Sequence, residues 1–135
     1  MTIAGEIADY IDANSTLTIG TDLFEWRMPT EPDDAVMVRM TGGVENPNAP
    51  EKEIAIQILS RSSRNDPLAA QTRSFEVYDL LSAPQRMADS LPTRIDLPSW
   101  RVNSFSPVQT PSSIGTDADE RPLFSFNLTA FIVAL

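Results

Sequence analysis

EIAIQILSR-SSRND-PLAAQTRSFEVYDLL, residues 53–81, is the stretch whose reading decides the fold. Its first part alternates: Ile54, Ile56 and Ile58 fall on one side of an extended chain, and Ala55, Gln57 and Leu59 on the other. Isoleucine at every second position predicts a strand with one strongly buried face. Asp66-Pro67 then marks a helix start. An aspartate there can accept from the free N–H groups of a first turn, and proline fits the first helical position because its missing N–H would be unpaired anyway. At about 100° per residue, Ala70, Ser74, Val77, Tyr78, Leu80 and Leu81 share one side. The unit is a strand feeding a helix that packs back on a sheet.

Around it, 135 residues with 41% hydrophobic content predict a single domain, 1–135, with its own core. The chain has no cysteine and no histidine, which excludes disulfides, thiolate zinc sites, Cys- or Ser–His nucleophiles and imidazole acid–base chemistry. Glu6 and Asp9 near the N-terminus do not suit a signal peptide, and the closing LTAFIVAL is much shorter than the roughly 20 residues of a membrane span. No membrane partner is expected. Ten basic residues against nineteen acidic ones give a net charge of −9, the wrong sign for gripping nucleic acid through its phosphates.

Taken from the N-terminus, Ile3, Ile7, Tyr10 and Ile11 form one face of a helix over residues 3–14, with Glu6, Asp9 and Asp12 placed largely away from it. TLTIGTDLFEWRMP, residues 16–29, alternates on both sides of Gly20 and predicts a bulged strand ended by Met28-Pro29. Pro29 and Pro32 then hold an extended polar linker with Glu31, Asp33 and Asp34. AVMVRMT, residues 35–41, is a strand ended by Gly42-Gly43, and VENPNAPEK is a surface loop. Ser82-Ala83-Pro84 is expected to end the central helix, and 85–91 is a short amphipathic piece. Residues 100–109 have strand composition with Pro107 at an edge or an end; 111–122 reads as a loop or hairpin arm; and Phe124, Phe126, Leu128, Ala130 and Ile132 mark the last strand. The predicted class is α+β, one mostly antiparallel sheet with two helices in the order α-β-β-β-α-β-β.

Chemistry is harder to place. Asp33-Asp34 is expected to be solvated. Asp117, Asp119 and Glu120 lack the ligand spacing and turn glycine of a calcium loop, so no metal is expected there. Gly42-Gly43 has no following helix or lysine to cradle a phosphate. The reading is of a non-enzyme without cofactors. Association surfaces are better candidates: Leu68, Thr72 and Phe75 on the second side of the central helix, Gly43, Val44 and Asn46 in the segment 42–52, and Val108 and Ile114 in the proline-rich arm 106–122. A helix apolar on both sides is either enclosed in its own domain or shared with a neighbour.

Four segments together resemble the tail terminator (tail-completion or minor capsid) proteins of long-tailed bacteriophages: TIGTDLFEWRMPTEPDDAVMVRMTGG (18–43), IAIQILSRS (54–62), DPLAAQTRSFEVYDLL (66–81) and FSFNLTAFIV (124–133). The resemblance implies a structural virion protein at the head-proximal end of the tail, assembled in the host cytoplasm. It implies a ring homo-oligomer, commonly a hexamer, that stops growth of the tail tube. Its partners would be the tube protein and the head–tail connector or neck protein. Double-stranded DNA would pass through the central channel without specific binding; the −9 charge balance of the chain adds the expectation of an acidic channel that lets it slide. Residues 85–122 follow the family pattern least. A head-completion or neck protein on the portal side and a small non-enzymatic binding module are the alternatives.

Overall fold

The structure is a computed structural model that describes residues 2–44, 47–86 and 94–135, with residues 83–86 described by backbone alone. In chain order the elements are α1 (Ile3–Asn14), β1 (Leu23–Glu25), β2 (Ala35–Val44), β3 (Lys52–Arg61), α2 (Pro67–Arg86), β4 (Ile95–Asp96), β5 (Trp100–Pro107), β6 (Ser112–Thr116) and β7 (Pro122–Ala134). The predicted order and α+β class hold, with the short strands β4 and β6 added to it. The sheet runs β1-β2-β3-β7-β5-β4, and every pair is antiparallel except β1 with β2. β3 takes one edge of β7 along its length; β6 and then β5 share the other.

Register explains the core. Val38, Ile58 and Phe126 lie side by side on adjacent strands, as do Met40, Ile56 and Leu128. Ile56, Ile58, Phe126 and Leu128 are at most 1% exposed. Both helices cover this face, α1 with Ile3, Ile7 and Ile11 and α2 with Val77 and Leu81. Each fully buried side chain of this size is worth about 1.5–3 kcal/mol in transfer from water. The opposite face carries Arg39, Gln57 and Ser125, joined by hydrogen bonds of 2.7 and 3.3 Å, and neither α1 nor α2 lies on it.

The structure corrects four local expectations. The strand over 16–28 shrinks to Leu23–Glu25, because the carbonyl of Thr18 takes the N–H groups of Thr21, Asp22 and Leu23 and winds 18–22 into a turn. Gly42-Gly43 does not end β2, which continues to Val44 across an irregularity between Met40 and Gly42. Glycine is needed at 43 because the strands approach so closely that a Cβ would sit 2.6 Å from the Glu53 carbonyl oxygen. α2 does not stop at Ser82: that hydroxyl bonds back to the Tyr78 carbonyl at 2.6 Å, and the helix continues to Arg86. The rest of the amphipathic piece, 87–91, lies outside the described residues.

Glu6 is the fourth correction. It is 1% exposed and accepts from the Ser99 N–H at 2.6 Å. Position 6 stands one helical turn from both Ile3 and Tyr10, so it belongs to the buried stripe.

Candidate functional site

The sheet has two distinct ends. At one, β3 finishes, β7 begins and β6 turns into it, with Arg61 opposite Leu123 and Thr116 opposite Pro122. At the other, β2 turns toward β3 with Val44 opposite Glu53, and Trp100 lies opposite Ala134.

The first end is built on two buried arginines. Arg61 continues the series Ala55, Gln57, Leu59 on the helix-free face and is 3% exposed. Its Nε donates to the Asp33 carbonyl at 3.0 Å, and its Nη2 to the carbonyls of Pro32 and Thr30. Arg121, 7% exposed, donates from Nε to Asp117 Oδ2 at 2.8 Å and from Nη2 to Asp119 Oδ2 at 3.2 Å. Its Nη1 reaches the Thr30 carbonyl at 2.7 Å and Asp33 Oδ1 at 3.3 Å. Asp117 Oδ1 meanwhile accepts the N–H groups of Asp119 and Arg121, both at 2.9 Å, which closes the turn. The linker 29–34, the end of β3 and the β6–β7 turn are thereby clasped together.

Electrostatics follow from this packing. Burial and the neighbouring Arg121 lower the pKa of Arg61, against the pull of Asp117, Asp33 and Glu31. Burial pushes Arg121 the same way, but its hydrogen bond and charge contact with Asp117, and those with Asp33 and Asp119, outweigh it and raise the pKa. Asp117 is held below the ordinary carboxylate range: burial alone would raise it, and the hydrogen bonds from Arg121 and the Asp119 N–H reverse that. A polar cleft of about 630 Å³ opens beside the clasp, lined by Glu31, Asp33, Arg64, Asp119, Glu120 and Arg121. Among the described residues no group of three or more carboxylates is placed to hold a metal ion. All three guanidinium nitrogens of Arg121 are engaged, so the arrangement braces three segments.

The expectation that Asp33-Asp34 is simply solvated is therefore corrected in part: both side chains stay about half exposed, but each meets an arginine. Asp33 and Asp117 meet Arg121, while Asp34 pairs with Arg73 at 3.0 Å and accepts from the Ser63 N–H at 3.3 Å. The signal in the sequence was the spacing Asp117 to Arg121; the other half of the clasp comes from residues 88 positions away, beyond any local pattern.

The predicted association residues spread over both ends. Leu68, in the first turn of α2, is 67% exposed just past the clasped end; Thr72 is exposed too. Phe75 is half-buried, its ring edge-on to Tyr78 at 6.0 Å, and Tyr78 is edge-on to Phe126 at 5.5 Å. Ile114 on β6 is 54% exposed, and Val108, between β5 and β6, is 67% exposed. At the opposite end Gly43 is exposed and Val44 is 65% exposed, flanking an apolar groove of about 330 Å³ with Met40 and Ile54. Asn46 lies outside the described residues. One exposed aromatic was missed: Trp26, read as part of a strand, sits at φ 71 in a tight turn closed by Arg27 N–H to the Glu25 carbonyl at 2.8 Å. Alternation placed it on a strand face and gave no hint of the turn.

A profile of the family described as Bacteriophage tail terminator protein matches residues 10–133. A search of curated proteins finds no match.

Proposed function

Because the chain belongs to the bacteriophage tail terminator family, we propose that this structural protein of the phage tail forms a hexameric ring that caps the head-proximal end of the tail tube. The ring stops tube growth and joins the tail to the head–neck connector, with a channel for DNA. The observation that carries this reading is the placement of exposed apolar side chains. Leu68 and Ile114 lie at the clasped end of the sheet, and Val44 and Leu135 at the other. A subunit held between a tube on one side and a connector on the other needs contact surfaces at opposite ends. A closed ring needs two further patches that differ from one another.

DNA passage without binding is supported by the state of the arginines. Arg61 and Arg121 are buried, and Arg64, Arg73, Arg94 and Arg101 each face a carboxylate within 4.0 Å. A chain of net charge −9 in which these six arginines are buried or paired with carboxylates tends to repel phosphates. No helix among the described residues is long and apolar enough to cross a membrane, and the proposed location is the virion, after assembly in the host cytoplasm.

Electron microscopy of the purified protein added to growing tail tubes tests this. Single rings at one tube end, with tube length arrested, are the expected result. Tubes that elongate unchanged beside monomeric protein would overturn the reading.

A further inference from the structure

Residues 112–120 contrast with everything around them. All five residues of β6 are exposed, and so are 118–120, whereas Pro111 just before and Arg121 just after are buried. β6 pairs with β7 alone, and its ladder is interrupted between Ser113 and Gly115, where Gly115 takes φ +99. Such a strand is held by ladder hydrogen bonds without burying side chains of its own. Segments of this kind open at a small fraction of the global unfolding free energy. The C-terminal end does not share that weakness, because Arg121 is held from outside the segment by Asp33 and the Thr30 carbonyl.

We propose that residues 112–120 are a strap: β6 opens from β7 in the free subunit, hinged at Pro111 and Arg121 as Asp117 and Asp119 leave the Arg121 guanidinium, and this opening is a step in assembly. The assembly part rests on the ring reading above. Nine residues held at both ends reach outward by no more than about 15 Å at ~3.4 Å per residue. Opening frees two things at once. It releases Ile114, already 54% exposed, from the sheet edge. It also bares the β7 edge at Leu123–Ser125 as an unpaired strand edge that a neighbouring chain can join.

Two measurements test the strap. In amide hydrogen exchange on the free wild-type protein, β6 amides should exchange at least 100-fold faster than the β3 and β7 amides paired between Ile54 and Ile58. Protection within tenfold of that ladder would overturn the proposal. The chain has no cysteine, so the opposed pair Ser112 and Ser125 can be replaced by Ser112→Cys with Ser125→Cys and closed by oxidation. The oxidised, folded protein should lose ring formation and tube capping at least tenfold and regain both on reduction, with oxidised wild type as the control. Equal assembly by the oxidised and reduced forms would overturn it. If wild type itself neither forms rings nor caps tubes, the ring reading fails, while the exchange rates still decide whether the strap opens.

Discussion

The middle and the end of the β3–β7 pair are held by different physics, although the same two strands run through both. In the middle, Ile56 faces Leu128 and Ile58 faces Phe126, with almost no exposure. At the end, Arg61 faces Leu123, and Arg121 sits just before β7 with its charge buried among carboxylates and carbonyls. Apolar contacts are non-directional, and each lost methylene weakens them in proportion. The clasp is directional: removing one member leaves its partners desolvated without a donor. The middle sets how stable the fold is; the end sets where the linker 29–34 and the β6–β7 turn are placed.

The largest expected effect is in the middle. Phe126→Ala removes a fully buried ring that also carries the edge-on contact to Tyr78, and it should destabilise by about 3–5 kcal/mol in urea unfolding. Next is the clasp. Arg121→Ala should destabilise by about 2–4 kcal/mol, because Asp117, Asp119 and Asp33 lose their shared cation in a partly desolvated site. A double-mutant cycle with Asp117→Asn should give a coupling of about 1–3 kcal/mol. Additivity of the two substitutions would erase the distinction drawn between the regions.

Acid sharpens the comparison from another side. The folded pKa of Asp117 is depressed, so its contribution is fully present above the ordinary aspartate value of about 4 and is lost as pH falls below it through the folded pKa. Stability measured between pH 6 and 2.5 should therefore fall, and Asp117→Asn should flatten part of that fall. Phe126→Ala should shift the whole profile down without changing its shape. A wild-type profile unaltered in shape by Asp117→Asn would mean the clasp does not report through that carboxylate.

The same division explains what the sequence made legible. Ile54-Ile56-Ile58 and Phe124-Phe126-Leu128 carry a period of two, which only a half-buried strand satisfies, so the strands and their inward faces follow from local pattern. Most elements, and their order, could be read this way. Arg61 carries no such signature: it continues the outward series of β3, and its burial depends on carbonyls of the linker around Pro32. Glu6 is similar, since its partner Ser99 is 93 positions away. Of the candidate contact residues, Leu68 follows from the second apolar side of α2, Val44 from the segment 42–52, and Val108 and Ile114 from the proline-rich arm, all local signals, and all four are exposed. Phe75 could not be resolved that way, because its neighbour Tyr78 already ties it toward Phe126.

The smallest expected effect tests whether charge alone makes the clasp. Arg64 and Glu120 line the same cleft as Arg121 and approach within 3.7 Å, but their side chains are 65% and 78% exposed. Water solvates both ions in either state, and holding two long side chains together offsets the attraction. Arg64→Ala should therefore change stability by no more than about 0.5 kcal/mol, and the change should vanish in molar salt. Arg121 stands in the same cleft with the same charge, and its effect should survive that salt because its partners are packed around it. A loss at Arg64 as large as the loss at Arg121 would show that the bracing extends across the cleft surface. The strap 112–120 would then be tied at Glu120 as well as at Arg121, and its opening would shorten by one residue.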